Sequence, residues 1–92
     1  MTQANVRYYL GRLKEQHGDD QYDHRVIYKT DADPDAYLQQ VAATFYLSDS
    51  VEEADNGYYF RGGERHVRTV GYAEISEDFF NTCVKLNAIR QA

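Results

Sequence analysis

Tryptophan is absent from this chain, and proline and cysteine occur once each among its 92 residues. A lone Cys83 excludes an intrachain disulfide, which suits a reducing compartment better than secretion. No N-terminal apolar run resembles a signal peptide, and no stretch is long and apolar enough to cross a bilayer, so a cytoplasmic location without membrane contact is expected. One proline and six glycines are too few for a disordered linker. A chain of this length builds one modest core, and residues 1–92 therefore read as a single domain.

Catalytic signatures are missing as well. Cys83 falls on the buried side of a predicted helix, where a thiol is an inert small hydrophobe. His17, His24 and His66 lack metal-ligand spacing relative to Cys83. Asp31-x-Asp33-x-Asp35 begins like a calcium loop, but Ala36 stands where that loop needs Gly and Ala42 where it needs Glu. Gly62-Gly63 is too short for a phosphate loop and opens a strand instead of a helix. No catalytic, metal or cofactor residue is assigned, and the reading is a binding protein, not an enzyme.

What the chain does have is tyrosine and unevenly placed charge. Nine Tyr and four Phe suit half-buried sheet positions and interfaces. The formal net charge is −5, yet residues 19–55 hold ten acids against only Arg25 and Lys29. Asp19, Asp20, Asp31, Asp35, Glu52, Glu53 and Asp55 are the candidate contacts for a basic partner. Arg61, Arg65 and Arg68 cluster with His66 beside Tyr58, Tyr59 and Phe60, a combination suited to gripping a phosphate or stacking on a base. Cross-strand pairing with Glu64 and Glu74 is the competing structural role for these arginines.

Hydrophobic periodicity gives the elements. Val6, Tyr8 and Leu10 alternate within a strand from about Ala4 to Lys14, and Gly11 with the phase shift to Leu13 suggests a bulge or a bend. His17-Gly18-Asp19-Asp20 is a turn, and Tyr22 to Lys29 is a second strand. Asp33 caps a helix that Pro34 begins, with Tyr37, Leu38, Val41, Ala42 and Phe45 at helical spacing to about Tyr46. Ser48 to Gly57 reads as an acidic loop. Tyr58 to Arg61 is a short strand, Gly62-Gly63 a hairpin turn, and Glu64 to about Ile75 a long strand. Ser76 caps a second helix bearing Phe79, Phe80, Cys83, Val84 and Leu86. The predicted fold is α+β in the order ββαββα, a four-stranded antiparallel sheet with both helices on one face. Val6, Tyr8, Leu10, Val26, Leu38, Val41, Phe79 and Cys83 are expected in or near the core. The helix patterns Tyr37-Leu38-Val41-Ala42 and Phe79-Phe80-Cys83-Val84 match, as an internal duplication or helical spacing alone would produce.

The run Asn5-Val6-Arg7-Tyr8-Tyr9-Leu10-Gly11-Arg12-Leu13-Lys14-Glu15-Gln16, with the chain's size and acidity, resembles the small phage-encoded anti-CRISPR proteins, most closely the inhibitors of type I-F systems. Those inhibitors share no common functional motif, so no site residue follows from the resemblance. It implies a monomeric, stoichiometric inhibitor in the host cytoplasm. Its partners would be the Cas proteins of the RNA-guided surveillance complex, with the guide RNA as a further contact, and it would block target DNA recognition or hybridisation. Lys and Arg line the nucleic-acid channels of such complexes, and an acidic surface can occupy them. The alternative reading is a small acidic regulatory protein, antitoxin-like, that binds a basic protein.

Overall fold

The computed structural model describes residues 5–46, 51–60 and 63–92. The expected first-strand start at Ala4, the beginning of the Ser48–Gly57 loop, and Arg61 and Gly62 of the second hairpin fall outside them. The fold is α+β: β1 (Arg7–His17), β2 (Asp20–Thr30), α1 (Pro34–Ala43), β3 (Val51–Ala54), β4 (Gly57–Phe60), β5 (Arg65–Ile75), α2 (Glu77–Leu86) and β6 (Arg90–Gln91). The strands form one mixed sheet of six in the order β3-β4-β5-β1-β2-β6. All neighbours are antiparallel except β2 and β6, which run parallel.

The four-stranded antiparallel sheet and the ββαββα order are thus corrected by two strands. β3 occupies part of the expected acidic loop. It is joined to β4 by Asp55-Asn56, whose φ angles of 56° and 62° make the left-handed two-residue turn that closes tight hairpins. β6 is only two residues long and pairs with Val26 and Ile27 of β2.

The helices are not on one face. Because side chains alternate along a strand, Tyr9, Gly11 and Leu13 of β1 share one side of the sheet with Val26 and Tyr28 of β2. This face packs under Leu38 and Ala42 of α1, with Phe60 and Val67, to form the main core. The opposite parity, Tyr8, Leu10 and Ile27, packs with Ile75 and Ile89 under Phe80 and Cys83 of α2. A strand covered on both faces carries apolar residues at both parities. The apparent phase shift from Leu10 to Leu13 is therefore two faces read as one. The bulge itself lies in β5, where Val70 is skipped between the pairs Arg12–Gly71 and Leu13–Thr69.

Of the expected core, Val26, Leu38 and Cys83 are buried, and Tyr8, Leu10 and Val41 pack against it half-buried. Val6 and Phe79 are not core, at 47% and 48% exposure. Val6 precedes β1, and Phe79 lies one helical step round from the buried Phe80 and Cys83.

Both predicted caps form. Asp33 Oδ1 accepts from the Asp35 amide at 3.0 Å, and Ser76 Oγ from the Phe79 amide at 3.1 Å. α1 ends at Ala43, short of Tyr46, where the Thr44 hydroxyl donates back to the Gln40 carbonyl at 2.9 Å.

Candidate functional site

The candidate residues sort into three groups, and the sheet decides which are available. The first is a polar cluster on the α1 face. Glu15, on β1, is 3% exposed. Its Oε1 lies 2.8 Å from His24 Nε2, and its Oε2 accepts from an Arg65 terminal nitrogen at 2.7 Å. The Tyr46 hydroxyl also donates to Oε2. Burial opposes the charge on Glu15, but the donors from Tyr46, Arg65 and His24 outweigh it and hold the carboxyl below its ordinary range. The same burial, together with the bond to Glu15, pushes the Tyr46 phenol up. Arg65 is thereby engaged inside the protein, with its guanidinium 5.4 Å from the centre of the Tyr46 ring. Arg65, an expected nucleic-acid contact, is the member of that group that the structure places on Glu15 and Tyr46.

The second group is acidic. Asp19 and Asp20 form the tip of the β1–β2 hairpin, whereas Asp31 and Asp35 flank the start of α1 at the hairpin's other end. Eleven-residue strands put roughly 35 Å between these ends. Glu52 and Glu53 lie on the edge strand β3 and point to opposite faces. Asp55 accepts from the Tyr59 hydroxyl at 2.7 Å. The acids therefore form separate groups around the rim instead of one patch. Among the described residues the ion pairs use Glu15, Glu64 and Glu74. No described carboxylate between residues 19 and 55 takes part.

The third group was not visible as a group in the sequence. α2 covers only one end of its face. On the remainder of that face stand Arg12 and Lys14 from β1, Arg25 from β2 and Arg68 from β5. Arg68 is thus the one expected nucleic-acid residue that the described structure leaves available, since Arg61 lies outside it. The signal for the others was the i, i+2 spacing of Arg12 and Lys14, which puts both on one face of a strand.

Among the described residues no set of three or more His, Cys, Asp or Glu side chains is placed to hold a metal ion, and no helix is long and apolar enough to cross a membrane. Cys83, on α2, is buried against the sheet. A groove of about 300 Å³ lined by Tyr37, Val41, Phe45, Arg90 and Ala92 lies where the C-terminal strand docks, with the Arg90 guanidinium 4.9 Å from the centre of the Phe45 ring.

No protein-family model, no curated protein and no solved structure matches the chain.

Proposed function

We propose that this protein is a non-catalytic inhibitor that binds an RNA-guided surveillance complex of type I-F and blocks target DNA recognition or hybridisation. The observation that carries the reading is that every described carboxylate from Asp19 to Asp55 stands outside the protein's own ion pairs. These charges are available to Lys and Arg groups that would otherwise grip DNA. Fixed carboxylates at several points of the rim also steer encounter with a basic surface. Asp19 and Asp20 at a projecting hairpin tip, and Glu52 and Glu53 on an edge strand, are the leading contacts. Asp31 and Asp35 adjoin the capping residue Asp33 and share its structural setting.

The direct test is to incubate the purified protein with a purified type I-F complex and then measure binding of target DNA. Loss of DNA binding with the complex chemically unaltered is expected. Failure to bind the complex, or covalent modification of a subunit, rejects the proposal. Asp19→Lys/Asp20→Lys and Glu52→Lys/Glu53→Lys should each slow association and reduce its salt sensitivity. If both double variants keep the original affinity and rate, carboxylates do not drive recognition.

A further inference from the structure

We propose that the part of the sheet left uncovered by α2 is a binding platform for the phosphate backbone of a single-stranded nucleic acid. This surface is distinct from the carboxylate rim, and the inference stands independently of which complex the rim engages.

The face bears four cations close together. Arg12 is directly opposite Arg25, and Lys14 is directly opposite Arg68 on one side and Asp23 on the other. Facing positions on paired strands lie about 5 Å apart, and alternate residues along a strand about 7 Å. Like charges so placed repel each other unless a counter-charge is supplied. Within the described residues none of the four takes part in an ion pair. Asp23 is the carboxylate next to them, and Glu52 stands farther along the same face, opposite Tyr59. The fold therefore gathers four cations against one adjacent carboxylate, although the chain as a whole is acidic.

The floor beneath them is low. Gly71 pairs with Arg12, and a Cβ built there would meet nothing within 4 Å. No element lies over it. Gly57 pairs with Arg68, and a Cβ there would come within 2.7 Å of His66 Nε2 and 2.8 Å of Arg68 Cβ. The buried Gly57 leaves room for the His66 ring to lie across the sheet there, so the open part of the floor is at Gly71. Next in line are the rings of Tyr59 and His66, 4.5 Å apart at their centres. With Gln16 and Glu64 they line a depression of about 270 Å³ on this side of the sheet, where the Glu64 carboxylate lies 3.2 Å from His17 Nε2 and the Tyr59 hydroxyl donates to Asp55.

Cations over a flat floor, with aromatic rings at one end, are the two requirements of single-strand recognition: charge for the backbone and a π-surface for a base. An acidic protein segment would use the first and have no need of the second. A rigid duplex would bring its second strand towards the carboxylates of Asp19, Asp20 and Glu52 at the rim, whereas a flexible single strand can follow the cations and avoid them.

The experiment is fluorescence polarisation of labelled oligouridine, oligothymidine and duplex DNA with the full chain, first at low ionic strength and then in a salt series. Both single strands should bind comparably, because phosphates are what the face reads. The logarithmic salt slope should be about −3 if four phosphates are neutralised. Arg12→Gln/Arg25→Gln should flatten that slope by about 1.4. Its melting temperature should hold or rise, since a repulsion is relieved, so lost binding cannot be ascribed to unfolding. Gly71→Phe should weaken binding with no change in charge. Asp19→Lys/Asp20→Lys should not weaken it. The proposal is overturned if neither single strand binds the original protein at low ionic strength. It is equally overturned if the Gln variant binds as the original does, or if duplex DNA binds as tightly as single strands.

Discussion

Gly11 shows how much of this fold hangs on one missing side chain. A Cβ at that position would fall 2.5 Å from Leu38 Cδ1 and 3.0 Å from Tyr28 Cε1, both on fully buried side chains. The glycine is what lets α1 lie directly on the sheet. Gly11→Val should cost about 1–3 kcal/mol through overpacking, read from denaturant midpoints. Glu15 is the other decisive residue. Its acidity is enhanced in the folded state, so its contribution to stability is complete above its ordinary value of 4.5 and is lost as pH falls through the depressed folded value. Glu15→Gln should cost about 1–3 kcal/mol at neutral pH, because Arg65 loses its counter-charge. It should also remove that part of the acid sensitivity, which thermal melts taken from neutral into acid pH would show. The sequence displayed Arg65 as a cation near aromatics, and nothing local revealed that Glu15, on a different strand, would claim it. Cap residues are different: Asp33 and Ser76 act on amides two or three positions away, and their roles could be read directly.

At the scale of elements, legibility followed the range of the interactions involved. α1 and α2 were recognisable because a cap, an acidic first turn and helical spacing agree within ten residues. Asp33→Ala should cost about 0.5–2 kcal/mol, measured by thermal melting, and should leave α2 unaffected. β3 escaped notice because Val51-Glu52-Glu53-Ala54 has the polarity of a loop. As an edge strand it needs little apolar surface, and its charges discourage pairing with other chains. The Asp55-Asn56-Gly57 stretch was its available signal, since Asp and Asn both tolerate positive φ. β6 is too short for any periodicity. In β1 the pattern reads as one apolar face with a phase shift, because alternation says which residues share a side and not whether one side or both will be covered. The cationic group went unseen for a related reason: its members come from three strands, and only the register brings them together.

Taken whole, the molecule has two cores of unequal size divided by one sheet. Among the described residues the α1 side buries eight hydrophobic residues and reaches β1, β2, β4 and β5, whereas the α2 side buries Ile27, Phe80 and Cys83. α2 also leaves Phe79, Val84 and Leu86 substantially exposed. Its amides should therefore exchange with solvent faster than those of α1 through local opening, and native-state hydrogen exchange would rank the two helices. Equal protection would show that the sheet couples both cores into one cooperative unit. The central position of β1 has a consequence for synthesis. Its first neighbour, β2, follows at once through the Gly18-Asp19 turn, but its second neighbour is β5, with Tyr8 paired to Ile75 and His17 to Arg65. At about 5–20 residues per second a ribosome needs several seconds to deliver that partner. Throughout that interval a β1–β2 hairpin would present the future middle of the sheet as an unguarded border. Arg12 and Lys14 sit on that border, so the charges that mark the finished platform would also discourage nascent chains from joining edge to edge.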